Sequence, residues 1–91
     1  MKHLIVKVWL DDTFLYVRTA DGLEAKTPFQ KWKRLANATQ SERRAYTLSP
    51  GGIHWPALDE DLSFGGIFYE AGLCEWPGCE EDFVCLSSAD S

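Results

Sequence analysis

Residues 3–27 alternate side chains with a period of two, interrupted twice by turn residues, and this pattern commits the first third of the chain to an antiparallel sheet. Leu4, Val6, Val8 and Leu10 alternate with His3, Ile5, Lys7 and Trp9, so the two sets point to opposite faces of a first strand. Asp11-Asp12-Thr13 reads as a turn, after which Phe14, Tyr16 and Arg18 alternate with Leu15, Val17 and Thr19 in a second strand. Asp21-Gly22 supplies the positive φ angles of a two-residue hairpin turn, and residues 23–27 return as a third strand. A three-stranded meander is expected.

Helical spacing follows. Thr27-Pro28 offers a cap with proline at the first helical position, and Gln30 completes a capping-box pattern. Phe29, Trp32, Leu35 and Ala36 then share one face, which predicts a helix over 28–36 ended by Asn37. Thr39 with Glu42 repeats the capping box and predicts a helix over 40–48, stopped by Ser49-Pro50-Gly51-Gly52. Ile53-His54-Trp55 reads as a brief extended segment, because Pro56 pushes the preceding residue away from helical angles. A large indole between glycines and acids belongs inside, so Trp55 and Pro56 are expected as core anchors. Ser63 caps a third helix with Phe64, Ile67, Phe68 and Ala71 as its apolar stripe and Gly72 at its stop. Asp59, Glu60 and Asp61 stand near that helix's positive end. Beyond Leu73 the periodicity fades, save for a strand at residues 83–86. With 91 residues there is material for one core. The fold class expected is α+β: a single small domain over 1–72, an antiparallel three- to four-stranded sheet with two to three short helices packed against it, and an acidic, cysteine-containing extension over 73–91.

The stretches Ala38-Thr39-Gln40-Ser41-Glu42-Arg43-Arg44, Gly52-Ile53-His54-Trp55-Pro56 and Leu58-Asp59-Glu60-Asp61-Leu62-Ser63 resemble a small uncharacterised bacterial family, the domain of unknown function 2442. Asp21-Gly22 and Trp32-Lys33-Arg34-Leu35 fit the same pattern, so the resemblance covers residues 3 to 70. It implies an antiparallel α+β domain. It also implies company, since such domains sit beside a second small protein in toxin and antitoxin pairs or are fused to a helix-turn-helix domain. The present chain departs from the pattern after Gly72, and the resemblance does not extend to its tail or to a helix-turn-helix.

Charge is split along the chain. Residues 1–50 hold all nine bases and five acids, +4, whereas residues 51–91 hold nine acids and no base, −9, for the net −5. Glu75, Glu80, Glu81 and Asp82 have no cation in their half and are the residues expected to meet a small, basic partner protein. Lys26, Lys31, Lys33, Arg34, Arg43 and Arg44 fall within nineteen residues, interleaved with Trp32 and Tyr46. Such a strip suits phosphates and stacked bases, which makes nucleic acid the alternative partner. The overall acidity weighs against it.

Catalysis is the third reading. His54 suits a general base near neutral pH, and Asp59 is its candidate partner in a hydrolase, but no nucleophile stands nearby in sequence. Asp59, Glu60 and Asp61 suit a cation only where they share a side, and along an extended segment only Asp59 and Asp61 do. His54, Trp55, Pro56, Asp59, Glu60 and Asp61 are therefore read as structural. Cys74, Cys79 and Cys85, with His54 or His3, lack the paired spacing of a zinc site, and an odd cluster of three is read as thiols. Neither metal nor cofactor is expected. Lys7 breaks the initial apolar run, no small-residue cleavage site follows, and no apolar stretch approaches the ~20 residues of a membrane span. A cytoplasmic, non-enzymatic protein-interaction module, antitoxin-like in kind, is the expectation.

Overall fold

The computed structural model describes residues 3–73 and 83–85, and within them the α+β class holds: two sheets, mostly antiparallel, enclose one core. The first sheet begins with the meander β1 (His3–Leu10), β2 (Phe14–Thr19) and β3 (Glu24–Pro28). Asp11 builds the first turn by accepting the Thr13 and Phe14 N–H groups at 2.8 and 2.7 Å. The second turn differs from expectation. Thr19 bonds Leu23 at 2.8 Å across three residues rather than two, and Gly22 takes the left-handed angle, φ 95°, that closes such a loop.

β1 corrects a second expectation. Ile5 pairs with Thr19 but Lys7 pairs with Arg18, so β1 advances two residues for one on β2. This bulge reverses the phase of the strand. Ile5 is buried, Val6 is 55 % exposed, and Val8 and Leu10 return to the core side. Lys7 and Trp9, on the side opposite Val8 and Leu10, share the outer face with Phe14, Tyr16 and Arg18.

The expected helix over 28–36 is two pieces, a 3-10 turn at Phe29–Lys31 and α1 (Lys33–Ala36), parted by an extended Trp32 at φ −111°, ψ 107°. Thr27 does not cap it. Its buried hydroxyl instead accepts the Trp32 indole N–H at 2.9 Å, which holds Trp32 off the helical path. α2 (Gln40–Arg44) starts from the expected capping box, with Thr39 and Glu42 bonded reciprocally at 3.1 and 2.8 Å. It stops four residues early. Residues expected as its second half form β4 (Thr47–Ser49), which pairs with β5 (Gly52–Trp55), which pairs with β6 (Glu60–Ser63). This second, three-stranded sheet was not expected. Its strands are only three or four residues long, too short for a period of two to stand out from a capped helix.

Ser63 caps α3 (Phe64–Glu70) by accepting the Gly66 N–H at 2.9 Å, and Phe64, Ile67 and Phe68 are buried as expected. Trp55 is fully buried, whereas Pro56 is exposed in the turn after β5 and anchors nothing. Residues 83 and 84 form β7 (Phe83–Val84), parallel to β1, giving the order β3-β2-β1-β7. Phe83 stacks on Phe68 at 4.1 Å, and Cys85, also buried, donates its backbone N–H to Pro50 at 2.9 Å. The described end of the chain thus closes the first sheet and reaches the second. No described helix is long and apolar enough to cross a membrane.

Candidate functional site

Strand register sets a grid on the outer side of β1, β2 and β3. Lys7 stands opposite Arg18 and Arg18 opposite Glu24; Trp9 stands opposite Tyr16 and Tyr16 opposite Lys26; Phe14 stands opposite Pro28. The Trp9 and Tyr16 rings stack at 5.1 Å with planes 6° apart, and Phe14 leans on Tyr16 at 6.1 Å and 52°. Parallel rings this close are stacked face to face with an offset rather than lying side by side in one plane. Cations hold the remaining ring faces. Lys7 Nζ lies 4.9 Å and the Arg18 guanidinium 6.0 Å from the Trp9 ring, and Lys26 Nζ lies 4.5 Å from that of Phe14. Lys7, Arg18, Glu24 and Lys26 are exposed and the three aromatics half-buried.

The acids of this face are committed. Asp11 accepts the Tyr16 hydroxyl at 2.6 Å besides its two turn N–H groups. The Tyr16 bond, then the backbone bonds, hold the Asp11 carboxyl below its ordinary value, with the nearby Lys26 charge as the smallest contribution. The same bond pushes the Tyr16 phenol up. Glu24 receives both Nε and Nη2 of Arg18, at 3.1 and 2.9 Å. Lys7 and Lys26 have no carboxylate within 4 Å among the described residues.

The motif residues gather in the second sheet, but not as one site. His54 and Asp61 face each other across β5 and β6 with Nδ1 to Oδ1 at 2.5 Å, both solvent-accessible. Asp59 sits in the turn before β6 at φ 52°, where Arg34 bonds its backbone oxygen and approaches its carboxylate at 3.5 Å. Glu60 accepts the Asp61 N–H at 3.1 Å. His54 is therefore joined to Asp61 and not to Asp59, and the three acids do not converge; they open a strand rather than flank a helix end. Trp55 donates its indole N–H to the Arg43 carbonyl at 2.8 Å, linking β5 to the close of α2. Among the described residues, no three His, Cys, Asp or Glu side chains group as metal ligands. Cys74 and Cys79 lie outside the described residues, as do Glu75, Glu80, Glu81 and Asp82.

The chain belongs to the DUF2442 family. Its family model, described as a protein of unknown function, matches residues 5–73. No curated protein and no solved structure matches the chain.

The matched region includes the basic strip, which the fold disperses. Arg43 is a brace: its Nε bonds the Leu35 carbonyl at 2.8 Å, its Nη2 bonds Ala36 at 3.3 Å, and its guanidinium lies 4.6 Å from the Phe29 ring centroid. Lys31 pairs with Glu70, and Arg34 with Asp59. Lys26 belongs to the sheet face. Lys33 and Arg44 are exposed, Lys33 beside Asn37 and Leu58 in a shallow polar hollow. Sequence reasoning set Lys7 and Trp9 on one face, together with Ile5, and drew no site from it; the signal available was Trp9 opposite Tyr16 across an Asp-rich turn.

Proposed function

We propose that this chain is a non-enzymatic interaction module that recognises a partner protein through the outer face of its four-stranded sheet. The observation that carries the reading is the Trp9–Tyr16 stack, with Phe14 against it, on a side of the sheet turned away from the core. The rings are half-buried, so part of each remains for a partner to cover, and aromatic and Arg side chains dominate the energetics of protein interfaces. Recognition by strand addition is less favoured, since the free edge of β3 is five residues long, bears Glu24 and Lys26, and ends at Pro28. An antitoxin-like role is the special case in which the partner is a toxin.

The test is affinity capture from the native host, followed by titration of the purified partner against wild type, Trp9→Ala/Tyr16→Ala and His54→Ala. Loss of binding in the first variant, with retention in the second, is expected. Retention in the first rejects the sheet face as the binding surface. For the antitoxin-like case, co-expression restores growth arrested by the partner. Nucleic acid is favoured by one observation, the exposed cations Lys33 and Arg44. Under that reading Lys33→Ala/Arg44→Ala abolishes binding to an oligonucleotide at ~0.15 M salt.

A further inference from the structure

We infer that the outer sheet face receives an extended acidic segment of the partner, carrying two carboxylates four residues apart with an apolar side chain between them. The inference rests on the proposed protein-binding role and adds the chemistry of what is bound. Charge complementarity argues it first. Glu24 is paired with Arg18, and Asp11 is held as a carboxylate by Tyr16 and the turn N–H groups, while Lys7 and Lys26 are exposed over aromatic rings with no carboxylate within 4 Å among the described residues. Among the described residues, three cations, Lys7, Arg18 and Lys26, thus stand against two carboxylates, Asp11 and Glu24, and the face is left with a net positive charge. Ring orientation argues it second. The Trp9 and Tyr16 rings cover one face of each other and Lys7 lies over Trp9, which leaves less ring face for a base to stack on and places a cation beside the stack for a carboxylate.

Spacing then fixes the pattern. Lys7 on β1 and Lys26 on β3 are two strands and one same-face row apart. At ~4.8 Å per strand and ~3.4 Å per residue, their Cα atoms stand roughly 12 Å apart. In an extended peptide, residues i and i+4 point to the same side and are separated by about 13 Å, with i+2 midway. Carboxylates at i and i+4 thus reach Lys7 and Lys26, and the side chain at i+2 falls between Tyr16 and the aliphatic stem of Arg18, beside Trp9.

The experiment titrates the ¹⁵N-labelled full chain with a capped nine-residue peptide having glutamate at positions three and seven, leucine at five and serine elsewhere. Parallel arms use the same peptide with lysine at three and seven, and oligothymidylate. The glutamate peptide is expected to shift the Trp9 indole N–H and leave that of Trp55 in place, and the lysine peptide to shift neither. Lys7→Glu/Lys26→Glu, first shown by its melt to be folded, should weaken the glutamate peptide by about tenfold at low salt and take up the lysine peptide instead. An unmoved Trp9 resonance, equal binding of the glutamate peptide by the charge-reversed variant, or oligothymidylate alone shifting Trp9 overturns the inference. A partner protein lost by Trp9→Ala/Tyr16→Ala but kept by Lys7→Glu/Lys26→Glu overturns it too, while leaving the protein-binding role standing.

Discussion

Adjacent glycines at 51 and 52 offer a sharp test of how closely β5 and β6 approach. A Cβ added at Gly52 stands 2.3 Å from the Leu62 carbonyl oxygen and 3.0 Å from the Ser63 Cα, whereas one at Gly51 meets nothing within 4 Å. Carbon and carbonyl oxygen rarely come closer than ~3.3 Å, so Gly52→Ala must open the strand pair by about 1 Å. Both obstructing atoms are backbone, and neither can rotate aside. Overpacking of this kind costs ~1–3 kcal/mol, and each ladder hydrogen bond lost in the opening adds ~1 kcal/mol, for a total of about 3–5 kcal/mol. That is a large part of the ~5–15 kcal/mol that holds a domain together. At ~4–8 °C per kcal/mol, the thermal unfolding midpoint followed by circular dichroism should fall by roughly 12–40 °C. Gly51→Ala should stay within about 0.5 kcal/mol of wild type in a urea melt. Equal stability of the two variants would refute the close approach and, with it, the pairing of Gly52 with Ser63.

Trp55→Ala should cost ~3–5 kcal/mol in a chemical melt, because the indole is fully buried. Trp55→Phe should still cost ~1–3 kcal/mol, because the Arg43 carbonyl loses its donor. Arg43→Lys keeps the charge but not the fork that reaches Leu35 and Ala36, so it should destabilise by about 1.5–3 kcal/mol, and a neutral result would deny the brace. Thr39→Ala removes half of the capping box and should cost ~0.5–2 kcal/mol by the same assay. Asp11 has a lowered carboxyl pKa in the fold, so its contribution is present above the ordinary carboxylate value and is lost as pH falls through the folded value; Asp11→Asn should remove that part of the acid dependence, and a carboxyl titration midpoint at or above the ordinary aspartate value by carbon NMR would contradict it. Tyr16 has the opposite sign, its raised phenol pKa favouring the fold below 10.0 and ceasing to do so as pH rises through the folded value, which an ultraviolet titration reads.

Elements with a local chemical signature were legible. The meander showed in its period of two, α2 in its Thr39 and Glu42 box, and α3 in Ser63 with the Phe64, Ile67, Phe68 stripe. Elements decided by tertiary contacts were not. Nothing local distinguishes Thr47–Ser49 as a strand; it pairs because β5 lies beside it, and α2 ends where Trp55 takes the Arg43 carbonyl. Trp32 looked like one more residue of a helical stripe, yet its indole finds Thr27 and breaks the helix there. In each case a hydrogen bond made outside the helix overrides a propensity worth only tenths of a kcal/mol, about 0.7 at most for ordinary residues.

The candidate site was obscured for a related reason. Charges were counted along the chain, where Lys26 to Arg44 form a continuous basic strip, but a fold distributes charge by face. The alternation of β1 sets Lys7 and Trp9 on the side opposite Val8 and Leu10, and one extra residue between Ile5 and Lys7 puts Ile5 inward and Val6 outward, so the apolar Val6 joins the outer side and Ile5 leaves it. Meanwhile Arg43 is turned to helix-end carbonyls, and Lys31 and Arg34 to Glu70 and Asp59. What decides whether a cation can meet a partner is whether the fold has already given it one. By that criterion the strip loses Lys31, Arg34 and Arg43, and the sheet face keeps Lys7 and Lys26. The two exposed strip cations, Lys33 and Arg44, belong to separate helices and have no aromatic stack between them, whereas Lys7 and Lys26 flank the Trp9–Tyr16 pair, which is why binding is assigned to the sheet.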